Sequence, residues 1–291
     1  MAERSVIALD VGGTTIDAAC VSSSGDMVAG LPESDSPADG GKDEIVNRLA
    51  GIVDAARARA AGTDVTACGV AMPGPFDYVA GVSRMTHKFQ GIHGVPLGEL
   101  LAEKTGLATC FINDADAFGL GVSWRQRPDA KRLIALTIGT GLGGSFIENG
   151  DSLVADDRVP PGGEIWDLPF GDGILEDFVS ARGVAAAFCR LRPGEPRSAK
   201  DIADLARLGD RAAVEAYQAL GAALGSGLAG LVLRFAPEVI AVGGKVGQSL
   251  GLFGPAMRQA LTAAGLPEVP VVQAAPGNMA LWGAARAALS A

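Results

Sequence analysis

The sequence predicts an α/β protein built from two related halves, and three observations support this prediction. A strand, a glycine-rich turn and a second strand are encoded from Ile7 in IALDVGGTTIDAACVSSSGD, and the same pattern returns from Ile134 in IALTIGTGLGGSFIENGD. Apolar strand-like runs alternate with helix-like segments along the rest of the chain. A length of 291 residues, of which 48% are apolar and 20% charged, is sufficient for one large or two ordinary packed domains.

Charge and cysteine content narrow the functional classes. A net charge of -9 argues against a surface that binds nucleic acid or an anionic membrane, so a small-molecule ligand is favoured. The four cysteines are scattered, which predicts reduced thiols and a cytoplasmic protein. The apolar run 220–236 is rich in Gly and Ala and predicts a buried helix, with no membrane span.

The elements expected in chain order divide the chain into two domains. An N-terminal domain, residues 1–113, is completed by a C-terminal helix within 278–291, and a C-terminal domain covers residues 114–277. In the first we expect an exposed linker at 31–44, a helix at 42–61 and strands at 65–72 and 108–112. In the second we expect helices at 174–189, 200–207 and 211–235 and a strand at 239–242, before a final helix at 279–288.

The segment GTGLGG, residues 139–144, formally matches the G-x-G-x-x-G pattern of a nicotinamide-binding turn. That pattern requires a helix directly after the glycines, whereas SFIENG predicts a short strand and a turn. A Walker-type loop is absent from the sequence. Because a similar turn follows Asp10, the two turns instead predict a clamp in which backbone N–H groups hold the phosphates of one nucleotide.

A strand-to-helix boundary at Asn113-Asp114-Ala115-Asp116 provides a candidate base. Asp116 is expected to be a helix cap, whereas Asp114 stands where a strand delivers a side chain to a cleft. A carboxylate in that place accepts the proton of an attacking hydroxyl group, as phosphoryl transfer to an alcohol requires.

Taken in order, five segments resemble the signatures of the ROK family of sugar kinases and repressors, and they span nearly the whole chain. They are Asp10-Val-Gly-Gly-Thr14, Pro73-Gly-Pro75, Asn113-Asp-Ala-Asp-Ala117, Thr137-Ile-Gly-Thr-Gly-Leu-Gly-Gly144 and Val239-Ile-Ala-Val-Gly-Gly-Lys-Val246.

This resemblance implies a two-domain fold of the actin and hexokinase type, ribonuclease H-like, with a central cleft for nucleotide and sugar. It implies ATP and Mg²⁺ as cofactors, Asp114 as the general base and Asp10 as an indirect contact of the magnesium ion. The residues expected to bind the nucleotide are Asp10, Gly12, Gly13, Thr14, Thr15, Thr140, Gly141, Gly143, Gly243 and Gly244.

On the sugar side the resemblance is interrupted. The family's Gly-Glu-Ile-Gly-His segment is matched by Gly163-Glu-Ile-Trp-Asp167, so Asp167 replaces the histidine, and Lys88-Phe89 stands where glucokinase-like members carry Asn-Leu. Lys88 then either favours an acidic or phosphorylated acceptor or is an ordinary solvated lysine. The residues expected to bind substrate are Pro73, Gly74, Lys88, Asn113, Glu164, Asp167 and Glu176.

Because the cysteines and the histidine of the family's zinc motif are absent, no structural zinc is expected. The resemblance implies ATP-dependent phosphorylation of a hexose such as glucose, by a homodimer. The acidic composition predicts that the protein binds neither nucleic acid nor membranes. Alternatives that stay open are a non-enzymatic sugar- or nucleotide-sensing member, a kinase that uses polyphosphate and a kinase that acts on an N-acetylhexosamine. A nicotinamide oxidoreductase is disfavoured by the strand after Gly144.

Overall fold

The computed structural model describes residues 3–291, which divide into two units. Unit 1 consists of Met1–Arg127 and Pro276–Ala291, and unit 2 of Pro128–Ala275. The helix that begins at Asp114 therefore belongs to unit 1, whereas the sequence placed it in the C-terminal domain. The last helix, which the sequence assigned to the first domain, lies within unit 1.

The N-terminal part of unit 1 contains eight strands: β1 (Arg4–Val11), β2 (Thr15–Ser22), β3 (Met27–Gly30), β4 (Ser34–Asp35), β5 (Asp64–Met72), β6 (Phe76–Asp77), β7 (Val82–Ser83) and β8 (Ala108–Asn113). Its helices are α1 (Lys42–Arg59), α2 (Leu97–Thr105) and α3 (Asp114–Arg125). Unit 2 contains β9 (Arg132–Ile138), β10 (Leu142–Glu148), β11 (Asp151–Ser152), β12 (Pro169–Phe170), β13 (Gly173–Ile174), β14 (Val239–Gly243) and β15 (Val271–Gln273), with α4 (Leu175–Phe178), α5 (Ala181–Leu191), α6 (Ala199–Arg207), α7 (Arg211–Phe235) and α8 (Leu250–Ala263). The last helix, α9 (Met279–Ser290), lies in unit 1.

The main sheets of the two units repeat one topology. In unit 1 the strand order is β3-β2-β1-β5-β8, and in unit 2 it is β11-β10-β9-β14-β15. Each begins with an antiparallel meander and continues with parallel strands, β5 and β8 in one sheet and β14 and β15 in the other. The repeat read from the sequence is therefore a structural repeat, and the mixed α/β fold is confirmed.

Glycines allow α9 to pack closely in unit 1. A Cβ at Gly283 of α9 would collide with the carbonyl oxygen of Ala117 in α3, and a Cβ at Gly121 of α3 would collide with the carbonyl oxygen of Met279. The β5 residue Gly69 is similarly close to the backbone of Ala284. Only residues without a side chain permit this approach, which brings the start of α9 to the sheet.

Several predicted elements need correction. The expected linker at 31–44 is mostly exposed, but it contains the short strand β4, and Ala38 within it is buried. The single helix expected at 174–189 is two helices, α4 and α5, because the Ser180 side chain accepts a hydrogen bond from the Gly183 N–H and so starts a new helix. The sequence analysis did not predict helices α2 and α8. For α8 the reason is Pro255, which lies within the helix and disfavours a helix prediction.

The apolar helix α7 has the length and composition of a membrane span. In the structure it packs against α4, α5, α6 and α8 of unit 2, and its inward side, from Ala213 to Phe235, is buried. Gly221 and Gly225 bring its backbone close to that of α8. These contacts agree with the buried core helix that the sequence predicts.

Replacing Gly283 with alanine is expected to lower the free energy of unfolding by about 1–3 kcal/mol, because the new methyl group overlaps the Ala117 carbonyl oxygen. The control is Gly51→Ala in the exposed face of α1, where no atom lies within 4 Å of the added carbon. That change is expected to stabilise the protein by about 0.5–1 kcal/mol. Urea unfolding followed by tryptophan fluorescence measures both, and equal stabilities of the two variants would refute the close packing of α3 and α9.

Candidate functional site

The predicted catalytic residues of unit 1 meet at one edge of its sheet. Strands β1, β5 and β8 are parallel, so their carboxyl ends lie side by side, with Asp10 paired to Ala71 and Met72 paired to Asn113. Pro73 follows β5 directly, and the Gly74–Pro75 peptide bond is cis. In open α/β sheets this edge is where ligands bind.

The first glycine turn joins β1 to β2 at the same edge. The Gly12 N–H donates to the carbonyl oxygen of Thr15 at 2.9 Å, which closes the turn, and the Ser36 N–H donates to Thr14 at 2.8 Å. Within residues 3–291 the N–H groups of Gly13 and Thr14 have no acceptor. Two adjacent free donors on an exposed turn fit the oxygens of a phosphate group.

Asp10 belongs to a group of polar side chains that the last helix completes. The Nδ2 atom of Asn278, the residue before α9, donates to Oδ2 of Asp10 and to Oδ2 of Asp17, each at 2.8 Å. Burial raises the pKa of the Asp10 carboxyl to about 6, the Asn278 hydrogen bond opposes this, and the charges of Asp114 and Asp17 raise it further. The carboxylates are thus close enough to influence one another.

Asp114 is the first residue of α3. Its Oδ1 atom accepts a hydrogen bond from the Ala115 N–H at 2.9 Å. The residue is exposed to solvent, and desolvation by the protein packed near it raises the pKa of its carboxyl group. The Lys88 charge and the Ala115 hydrogen bond act in the opposite direction. A raised pKa on an accessible carboxylate suits a group that takes up a proton.

Asn113 serves mainly to fix the start of α3. Its Oδ1 atom accepts hydrogen bonds from the N–H groups of Ala115 at 2.9 Å and Asp116 at 3.3 Å, while its Nδ2 donates to the Tyr78 hydroxyl at 3.0 Å. The helix cap is therefore Asn113, and the expected capping role of Asp116 is wrong, since Asp116 is buried in the first turn. This cap orients Asp114.

Lys88 lies beside the first glycine turn. Its Cδ atom is 3.8 Å from the place that a Cβ would take at Gly13, and its charge acts on Asp114. Burial lowers the pKa of the Lys88 ammonium, and the Asp114 charge opposes the shift. The side chain is half-buried, so it is not the ordinary solvated lysine that the sequence left open. His87 and His93, in the same segment, are exposed.

Unit 2 presents the second glycine turn, between β9 and β10. Its Gly139 N–H donates to the Gly141 carbonyl oxygen at 2.9 Å, whereas the N–H groups of Thr140 and Gly141 have no acceptor among the residues described. Strand β14 is parallel to β9 and pairs Gly243 with Thr137, so the Gly243–Gly244 turn adjoins it. Gly244 has a φ of 83°, where a side chain would be strained against Ile138. Both predicted motifs of unit 2 therefore share one edge.

Glu176, expected to bind substrate, is bonded to the second turn. Its Oε2 accepts a hydrogen bond from the Leu142 N–H at 2.9 Å, and its Oε1 lies 3.6 Å from the Arg182 guanidinium. The Ala181 N–H also donates to the Gly139 carbonyl oxygen at 2.8 Å. The glutamate thus fixes the turn from one side.

The other predicted substrate residues of unit 2 lie in a loop over this turn. Glu164 and Asp167 are exposed, and Glu164 accepts a hydrogen bond from the Trp166 indole at 3.0 Å. Ile165 between them is buried against Gly144. The Glu176 N–H donates to the Trp166 carbonyl oxygen at 3.0 Å, which holds Glu176 beside this loop.

Sequence reasoning missed Asp17, Asn278 and Tyr78. A signal existed for two of them: Asp17 is a lone acid within an apolar strand, and Asn278 precedes an apolar helical run, as a helix cap does. Tyr78 carries no local signal. Within residues 3–291 no group of three or more His, Cys, Asp or Glu side chains is arranged to hold a metal ion. The absence of zinc stays a prediction.

The family model of the ROK family matches residues 6–155 and 171–288 of this chain. Among curated proteins, the glucokinase of Thermotoga maritima is 30% identical over 283 residues, covering 88% of this chain and 86% of that protein. The N-acetylmannosamine kinase of Shigella flexneri is 26% identical, with 84% of each chain covered.

A solved structure of a ROK family glucokinase from Streptomyces griseus, in complex with glucose and AMPPNP, aligns with a TM-score of 0.77 and 25% identity. The alignment covers 99% of this chain and 100% of that chain. The similarity to this glucokinase therefore extends over the whole chain and is not limited to the motifs.

Asp10→Asn is expected to stabilise the protein without ligands by about 1–3 kcal/mol at pH 8. The pKa of Asp10 is about 6 in the folded state, above its ordinary value of 3.8. Ionisation of Asp10 therefore lowers the stability of the folded state as the pH rises from 3.8 to about 6, and the loss is complete above about 6. As the pH falls toward 4 the carboxyl takes up its proton in the folded state, and the gain from the substitution disappears.

Urea unfolding at several pH values with a metal chelator present measures this difference. Asp151→Asn, at an exposed position of β11, is the control and is expected to give no such pH-dependent gain. An Asp10→Asn protein that is less stable than the wild type at pH 8 would contradict the assigned pKa.

Proposed function

Because this chain belongs to the ROK family, we propose a specific activity for the residues described: the protein is an ATP-dependent sugar kinase whose acceptor is a hexose such as glucose. The observation that carries the proposal is the position of Asp114. It is an accessible carboxylate with a raised pKa, held by a capped helix beside Asp10 and the first glycine turn.

Asp114 acts as the general base. The acceptor hydroxyl donates a hydrogen bond to the carboxylate, and its proton moves to Asp114 as the oxygen attacks the terminal phosphorus of ATP. A pKa raised by burial makes the carboxylate a stronger base, while the Lys88 charge opposes that shift and favours the ionised form. The Asn113 cap limits the motion of Asp114, which matters because phosphoryl transfer depends on positioning.

Both glycine turns bind the nucleotide's phosphates. The free N–H groups of Gly13 and Thr14 in unit 1, and of Thr140 and Gly141 in unit 2, support this assignment. The remaining nucleotide residues are Asp10, Gly12, Thr15, Gly143, Gly243 and Gly244, as the sequence predicts. The threonine hydroxyls add donors, and the Gly243–Gly244 turn lies against the nucleoside.

Asp10 and Asp17 fit a magnesium site of the indirect kind. Mg²⁺ usually keeps several waters and takes one or two carboxylates together with substrate phosphates, so a cluster of three protein ligands is not required. When bound, Mg²⁺ neutralises charge on the phosphates. Asn278 keeps one oxygen of each carboxylate hydrogen-bonded, which leaves the other oxygen of each for the ion's water shell.

We assign acceptor binding to Glu164, Asp167 and Glu176 of unit 2 and to Pro73, Gly74 and Asn113 of unit 1. Lys88, which the sequence also assigned to the acceptor, adjoins both the first glycine turn and Asp114. Glu176 also accepts a hydrogen bond from the Leu142 N–H of the second glycine turn. A sugar bound to Glu176 would therefore also affect the position of that turn. An N-acetylhexosamine is the second candidate acceptor, because an N-acetylmannosamine kinase is among the relatives. Polyphosphate as the donor and a sensing role without catalysis are the remaining alternatives.

A homodimer, a cytoplasmic location and the lack of nucleic-acid or membrane partners stay predictions. The acidic composition supports the last of these, since a net charge of -9 repels nucleic acid and anionic lipid.

Wild-type protein with ATP and Mg²⁺ is expected to release ADP in a coupled assay when glucose is added. Mannose, N-acetylmannosamine and small polyols form the comparison panel, and polyphosphate replaces ATP in a parallel series. If no sugar in the panel stimulates ADP release, the kinase proposal is wrong and a sensing role is favoured.

Asp114→Asn is expected to lower kcat by about 10²–10⁴-fold, because the amide cannot accept the hydroxyl proton. The amide keeps the size of the side chain and its hydrogen bond to the Ala115 N–H, so the fold and ADP binding are expected to persist. Asp157→Asn, in an exposed loop of unit 2, is the matched control. An Asp114→Asn enzyme with full activity would remove the base from the mechanism.

A further inference from the structure

Within residues 3–291 the ammonium group of Lys88 makes no direct hydrogen bond or ion pair, although the side chain is half-buried. Partial burial of a charge costs free energy unless a counter-charge compensates it, and the Asp114 charge opposes this cost for Lys88 without cancelling it. An anionic group of a bound ligand next to the Lys88 ammonium group would supply the missing compensation.

The backbone around Lys88 is held in a strained conformation. The next residue, Phe89, has a φ of 50° in the left-handed region, which is uncommon for a residue with a bulky side chain. Its ring is fully buried in the core of unit 1, and its N–H donates to the Ala38 carbonyl oxygen at 2.8 Å. The Gln90 side chain closes the segment with a hydrogen bond to the Thr86 carbonyl oxygen at 2.9 Å.

These contacts fix the direction of the lysine. With Phe89 anchored in the core, Lys88 extends over the first glycine turn, where its Cδ is 3.8 Å from the Cβ position of Gly13. Its charge acts on Asp114, the base. The two groups that Lys88 adjoins are thus the turn that holds the donor phosphates and the carboxylate that holds the acceptor hydroxyl. Strain of this kind is typical of functional positions.

On this geometry, and resting on the proposed kinase function, we propose that Lys88 is a catalytic residue that binds the phosphoryl group while it passes from ATP to the sugar hydroxyl. The position next to Gly13 favours the phosphoryl group over a remote acidic substituent of the acceptor, which has no reason to lie at the phosphate turn.

The chemical step is balanced without a further reactant. The acceptor oxygen forms a bond to phosphorus, the bond from phosphorus to the ADP oxygen breaks, and ADP leaves with that electron pair. The hydroxyl proton goes to Asp114. Lys88 stays protonated throughout and donates hydrogen bonds to the non-bridging oxygens, whose charge would otherwise be repelled by Asp10, Asp17 and Asp114.

The test compares steady-state kinetics of the wild type, Lys88→Ala, Lys88→Arg and the control Lys104→Ala, which changes an exposed lysine of α2. For Lys88→Ala we expect kcat with glucose to fall by about 10²–10³-fold, with KM for glucose little changed and ADP binding retained. Added ethylammonium is expected to restore part of the activity of Lys88→Ala, and Lys88→Arg is expected to keep part of it.

Each contrary result has its own meaning. A wild type that phosphorylates no sugar refutes the kinase function itself. An active wild type with an equally active Lys88→Ala refutes only the role of Lys88. A Lys88→Ala enzyme that loses affinity for acidic acceptors while kcat is kept assigns the lysine to acceptor binding, and loss of ADP binding without ethylammonium rescue assigns it to structure. Both of these outcomes overturn the proposal.

Discussion

The arrangement of unit 1 depends on one amide group that separates and holds two carboxylates. Asp10 and Asp17 each accept a hydrogen bond from the same nitrogen of Asn278, so their oxygens are close neighbours in a partly buried place. The two carboxylates repel each other, and the Asp17 charge is one of the influences that raise the pKa of Asp10. The amide offsets part of this repulsion, and a magnesium–nucleotide complex would offset the rest.

That hydrogen bond requires residues from opposite ends of the sequence to meet. Asn278 reaches the end of β1 because α9 packs on the sheet and on α3 at glycine contacts, Gly69, Gly121 and Gly283. The same packing fixes α3, whose first residue is Asp114. Asp114 and the carboxylate pair are therefore positioned by one helix, which under the proposed function couples the geometry of proton transfer to that of phosphate binding.

The sequence predicted the meander with its glycine turn in each half because strand periodicity and turn chemistry are local properties, and Asp114 because a strand leads directly into a capped helix. Contacts between residues that are far apart in the sequence could not be predicted. The pairing of Asn278 with Asp10 and the hydrogen bond of Glu176 to Leu142 arise from tertiary packing, as does the approach of Lys88 to Gly13. The division between α4 and α5 was missed because a single serine cap overrides the helical periodicity of the flanking residues.

The central claim is that this carboxylate-lined edge transfers a phosphoryl group from ATP to a sugar hydroxyl. Phosphorus NMR of the protein with ATP, Mg²⁺ and glucose tests it most directly, because it identifies the product in which the transferred phosphorus resides. The account predicts a sugar phosphate ester that accumulates in equal amount with ADP. Formation of inorganic phosphate at a rate independent of sugar, with no ester signal, would contradict it.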